Sequence, residues 1–338
     1  MSSDNSNSLV TNPHESNPLP THKMEKADCL TCADVLQAGS GKIFSQKELS
    51  TLSQAEEIND DCLAILGKNQ LDISQAQAVW TIITQMFGSP NEIPEEKLRL
   101  IGWVAAGIPV NDFYNLSFSD VDTIASLGQF RNLSQNQLVA LKDSIFNQWS
   151  GKDIRDLTNY DLVMFRSIIC AFNATEIGLI RPESYKNAAS ELGTLKQECP
   201  VEITKSLAQL ATDPSAFGDP SRWTSTQVAA IGCVMTGLRT VEVVPAKAME
   251  GISIEILNCL PPRFLEAMSV DQLSHFPAAT ASSLSSLQSS ALSYQQRKAL
   301  DSVAADLTYN VPSASVKVHP FFILPLLAPH FLFPNIHL

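Results

Sequence analysis

The residues of this 338-residue chain with the widest chemical range are seven cysteines, six histidines and one lysine that ends a glycine-bounded run. Ala38-Gly39-Ser40-Gly41-Lys42 invites comparison with a phosphate loop, whose backbone N–H groups cradle phosphate oxygens. The first glycine of that pattern falls at Leu36, however, and Lys42 is followed by Ile43 in place of a hydroxyl residue. The one Cys-x-x-Cys, Cys29 to Cys32, has no second Cys or His pair at metal spacing, so it reads as two incidental thiols. Five of the six histidines (14, 22, 319, 330 and 337) fall in the two ends, leaving His275 alone in the body of the chain. General acid-base or nucleophilic chemistry needs an imidazole held by a partner or two facing carboxylates, and nothing in the sequence supplies either. Glu56-Glu57 and Asp60-Asp61 read as solvated helix surface. No catalytic residue, metal site or cofactor is assigned, and the chain is read as a non-enzyme.

Three Asn-x-Ser/Thr acceptors stand at Asn115, Asn132 and Asn173, and they matter only if the chain enters the secretory path. A formal charge of -12 repels phosphate backbones, and no Lys/Arg cluster is expected to override it locally, which argues against nucleic acid as a partner. Hydrophobic residues make up 44% of the chain, enough for a substantial core. The 14 glycines are too few and too scattered for phosphate loops or a dense β-turn architecture.

The elements that carry these residues are marked by a helix-start signature. A Ser or Thr at the N-cap and a Glu or Gln three residues on satisfy each other's free backbone N–H groups. The pairs are Ser45/Glu48, Ser74/Gln77, Ser134/Gln137, Thr224/Gln227, Ser269/Gln272 and Ser293/Gln296, with Thr158/Asp161 as a shorter version. Each cap follows an apolar residue, and apolar residues then recur at helical spacing, as in Leu162, Phe165, Ile168 and Ile169. Strand-like alternation is not sustained. A longer period joins IGWVAAGI (101–108), FRSIICAF (165–172) and IGCVMTGL (231–238), 64 and 66 residues apart. Their small residues, among them Gly102, Ala105, Ala106, Gly232 and Gly237, would let neighbouring helices approach closely, as a stacked solenoid requires. The fold class predicted is all-α, with short repeated helices.

Composition divides the chain into a Ser/Asn/Pro-rich disordered segment (1–40), a helical-repeat domain (41–310) and an apolar tail (311–338). The start carries no apolar run of the secretory kind, which leaves a cytoplasmic location open. The run FFILPLLAPHFLF (321–333) is too short to span a membrane. It reads either as a lipid-anchor signal with Ser313 as the attachment site or as an isoform-specific or truncated end.

One stretch goes further. Residues 199–245 run ECPVEITKSLAQLA (from Glu198), DPSRWTSTQVAAIGCVMTGL and RTVEVVP, and in this order they resemble the mesothelin, stereocilin and otoancorin family. Cys199-Pro200, the Thr224–Gln227 cap after Trp223 and the later Pro245 match most closely. Cys170 and the segment NCLPPRFLEAMSVDQLSHFP (258–277) are also placed as in that family, so the resemblance covers about residues 45–310. It implies a right-handed superhelix of armadillo-like helical repeats at the cell surface, glycosylated and often lipid-anchored. It further implies adhesion to other cells or extracellular matrix, with protein or glycoprotein ligands as partners. The alternative is an intracellular helical-repeat scaffold. Carried onto this chain, the resemblance makes Cys170 with Cys199 and Cys233 with Cys259 either two disulfides, each contributing about 3 kcal/mol, or four buried thiols.

Overall fold

The computed structural model describes residues 29–52, 58–129, 132–149, 151–193 and 199–309, the last four without their side chains. Among these residues the chain is helical throughout, without a strand. Two helices lead in, α1 (Cys32–Ala38) and α2 (Gln46–Thr51). Composition placed α1 inside a disordered segment ending at residue 40. That boundary is corrected, because Thr31 and Asp34 form a complete capping box and Cys32 and Val35 are buried in the core.

The 64- and 66-residue period of the sequence is a recurrence of elements. A first unit comprises α3 (Asp60–Lys68), α4 (Ile73–Phe87), α5 (Glu95–Leu98) and a 3-10 turn Gly102–Gly107, followed by α6 (Val110–Phe113). The second repeats that order with α7 (Val121–Gly128), α8 (Gln135–Gln148), α9 (Asn159–Phe165), a 3-10 turn Arg166–Ala171 and α10 (Ala174–Leu179). The third has α11 (Pro182–Gly193), α12 (Val201–Ala211), α13 (Ser225–Ile231) and the 3-10 turn Gly232–Gly237. The chain then runs through six further helices, α14 (Ile254–Leu257), α15 (Pro262–Glu266), α16 (Val270–Ser274), α17 (Ala278–Ala281), α18 (Ser286–Ala291) and α19 (Tyr294–Tyr309).

In each unit the 3-10 turn packs against the second helix, and successive units meet where α5 and α6 rest on α7 and α8, and α9 and α10 on α11 and α12. One continuous apolar core results, running from Cys32 to Leu300. The closest approaches use the glycines of the repeat. A Cβ on Gly102 would strike the Gly67 carbonyl, and one on Gly232 the Gly193 carbonyl. Both glycines have positive φ, +47° and +55°. The middle unit has Arg166 at this place, with φ +44° in a conformation that side chains rarely adopt.

The helices start where local chemistry says they should. Boxes form at Ser45, Ser134, Thr158, Thr224 and Ser269, and at Ser293 the hydrogen bonds to and from Gln296 are both present. The Ser74/Gln77 pair is not used. α4 is capped two residues earlier by Asp72 with Gln75, which buries Leu71 and Ala76 as the staple and leaves Ile73 exposed. Further boxes form at Ser89/Glu92, Asn173/Glu176 and Ser285/Gln288, beyond the pairs named from the sequence.

Candidate binding surface

Six of the seven cysteines are brought together in pairs. Cys170 of the second 3-10 turn joins Cys199, which precedes α12, across a separation of 29 residues and a Cα–Cα distance of 4.7 Å. Cys233 of the third 3-10 turn joins Cys259, between α14 and α15, across 26 residues and 5.7 Å. The third pair, Cys32 with Cys62, spans 30 residues and 5.5 Å and ties α1 to α3. The reading of Cys29 and Cys32 as two incidental thiols is therefore corrected for Cys32, while Cys29 stays free and half-buried.

Between the second and third of these links along the chain lies a groove of about 830 Å³. Its walls are Lys205 and Gln209 of α12 with Thr212, which caps that helix, on one side and Leu238, Arg239 and Val243 after the third 3-10 turn on the other. A second groove of about 400 Å³ shares Lys205, Leu238 and Arg239 and extends to Val201, Arg263 and Phe264. Its one acid is Glu242. The α12 wall is drawn against the loop at Gly237, where a Cβ would collide with the Thr204 carbonyl. Lys205, Arg239 and Arg263 are all exposed, as are Val201 at 53% and Val243 at 48%. The expectation that no cationic cluster interrupts the acidic surface is corrected here, since the fold gathers three cations that the sequence holds apart.

No family model matches the chain. Its sequence is 27% identical to otoancorin of Mus musculus over 230 residues, which is 67% of this chain and 20% of otoancorin. It is 26% identical to human stereocilin over 277 residues, 80% of this chain and 15% of stereocilin. The chain is a homologue of otoancorin and stereocilin. With mesothelin-like proteins these form one family. The chain spans about one fifth of otoancorin's length and less of stereocilin's.

In this otoancorin homologue the remaining candidate residues have plain structural settings. Gly39 closes α1, and the Gly41 N–H donates to Asn69 Oδ1 at 2.8 Å, so the phosphate-loop look-alike is a helix end followed by a pinned turn. His275 ends α16 with Nδ1 2.9 Å from the Asp271 carbonyl of its own helix. Among the described residues no group of three His, Cys, Asp or Glu side chains is placed to hold a metal ion. Likewise, no described helix is long and apolar enough to cross a membrane. Ser313 and the 321–333 run lie outside the described residues.

The three glycan acceptors differ in setting. Asn115 and Asn173 are exposed. Asn173 uses Oδ1 to cap α10, which leaves its Nδ2 available. Asn132 is half-buried, its Nδ2 donates to the Trp103 carbonyl at 3.3 Å, and its Oδ1 is buried without a hydrogen-bond partner.

Proposed function

We propose that this chain is part of a non-enzymatic extracellular or cell-surface protein that attaches cells to matrix or to one another through its helical surface. The homology to otoancorin and stereocilin carries this reading. The paired cysteines support it, because disulfides persist in oxidising compartments and are rare in the cytosol. The three recurring units support a superhelical array of armadillo-like repeats, in which each unit contacts chiefly its neighbours and a long surface is offered to a protein or glycoprotein partner. Glycans at exposed acceptors and a lipid anchor at Ser313 belong to the same reading.

The test is to isolate the protein from vertebrate cells, block free thiols before unfolding, and map the peptides without reduction. Enzymatic removal of N-glycans and release by phosphatidylinositol-specific lipase are assayed alongside. Three cysteine pairs, with a mobility shift or release, are expected. Seven blocked thiols and no shift would overturn the proposal and favour an intracellular scaffold.

A further inference from the structure

We propose that the two adjoining grooves form one docking site for an extended, acidic polypeptide segment of a partner protein. This deepens the adhesion reading and rests on it.

The charge pattern is the first ground. Several cations of the described surface are paired within the chain, among them Lys97 with Asp60, Arg99 with Asp120, Lys142 with Glu176 and Lys152 with Asp161, whereas the linings of the two grooves together hold Lys205, Arg239 and Arg263 against one acid, Glu242. Lys205, Arg239 and Arg263 make no such pair among the described residues, although the chain carries 35 acids against 23 bases. Three unneutralised cations gathered on an acidic protein complement a ligand carrying a few carboxylates.

The second ground is the apolar lining. Leu238 and the exposed Val201 and Val243 line the grooves together with the cations, a mixture that suits a peptide carrying both apolar and acidic side chains. A sulfated polysaccharide or nucleic acid would gain nothing from the valines and Leu238, whereas a peptide can place apolar side chains on them. The third ground is rigidity. Cys199 anchors the start of α12, while Cys233 and Cys259 tie the third 3-10 turn to the approach of α15. The walls are thus fixed before the ligand arrives, which lowers the ordering cost of binding.

The test uses the full chain with its disulfides intact and a fluorescein-labelled, end-blocked octapeptide carrying glutamates at alternate positions and leucines between them. Its counterpart has glutamine for every glutamate. Fluorescence anisotropy should detect the glutamate peptide, with affinity falling as salt is raised to about 1 M, where exposed charges are screened. Lys205→Glu and Arg239→Glu should each weaken binding about tenfold. Lys47→Glu on α2, an equal change in net charge far along the chain, should leave it unaltered. Both groove variants should unfold at the parent temperature, since both side chains are exposed.

Equal binding of the glutamine peptide, or unchanged affinity in both groove variants, overturns the site. A heparin fragment that binds more tightly than the peptide and is lost in the same variants overturns the peptide as occupant. Cell attachment that survives Arg239→Glu, where the peptide fails to bind, removes this proposal and leaves the adhesion reading standing.

Discussion

The side chain of Gln272 reaches from the third position of α16 to the Val241 carbonyl, where its Nε2 donates at 2.9 Å across 31 residues of sequence. The same Nε2 also donates to Val244, while Oε1 accepts from the Ser269 N–H that the helix leaves free. One buried amide therefore caps its own helix and pins the preceding segment. Gln75, Gln137, Gln288 and Gln296 repeat the arrangement, reaching carbonyls 28 to 31 residues earlier. Glutamate at the same position of a capping box can close the box but has no proton to donate.

Gln272→Glu should consequently destabilise the chain by about 3 kcal/mol at neutral pH, since two buried carbonyls lose their donor and a carboxylate takes its place. Chemical denaturation measures this. The folded pKa of the introduced acid is raised, so the penalty is full above that value and shrinks as pH falls towards the unfolded carboxylate value of about 4.3. A cost that does not change with pH would mean that the amide acts by shape alone.

Arg166 predicts the opposite sign. It has φ +44° and ψ -118°, near the +55° and -132° of Gly232 at the matching place in the next unit. Arg166→Gly should raise stability by about 1 kcal/mol, the relieved strain exceeding the added freedom of the unfolded chain. Gly232→Ala should lower it by several times as much, because its Cβ meets the Gly193 carbonyl as well. Unfolding midpoints in denaturant distinguish these outcomes.

What the sequence made legible was whatever its chemistry confines to a few neighbouring residues. Capping boxes span three positions, so five of seven had the full box and Ser293 both reciprocal bonds. The exception, Ser74, lost to Asp72 because only the earlier start buries Leu71 and Ala76. The 64- and 66-residue period marked the 3-10 turns but not their shape, which depends on contacts with Gly67 and Gly193 far away in sequence. Cys32 with Cys62 was not legible because Cys32 stands in a Cys-x-x-Cys that lacks a metal partner and so reads as two incidental thiols. Its 30-residue separation, beside 29 and 26 for the other two pairs, was the signal available. The groove was not legible at all, since Lys205, Arg239 and Arg263 meet only through folding.

Asp161 ties stability to acid. Burial acts to raise its pKa. Hydrogen bonds from Lys152 Nζ at 2.7 Å and from the Thr158 N–H and hydroxyl more than offset this and hold it below the usual aspartate range. A depressed folded pKa gives stability that is present above the unfolded value of about 3.9 and is lost as pH falls through the folded value. Asp161→Asn should therefore cost about 2 kcal/mol at pH near 7 and progressively less below about pH 4, as thermal unfolding across that range would record. An equal cost at all pH values would show that its charge is not used.

The glycan acceptors give the last prediction. An N-glycan is attached to the Asn Nδ2, which must be free of the protein interior once folded. In Asn115 and Asn173 the side chain is exposed; the Asn173 cap needs only Oδ1, and the Asn115 Nδ2 donates at 3.1 Å to the Asn111 carbonyl one turn earlier, a surface bond that water can replace. Asn132 is half-buried with Nδ2 committed to the Trp103 carbonyl and Oδ1 enclosed, so a sugar there would have to break that bond and open the turn before α8. Directed through the secretory path of vertebrate cells, the chain should carry sugar at Asn115 and Asn173 but not at Asn132. Asn132→Gln should leave gel mobility unchanged, while Asn115→Gln and Asn173→Gln each remove one step of the glycan ladder. Full occupancy of Asn132 in folded, secreted protein would show that the turn before α8 is arranged differently.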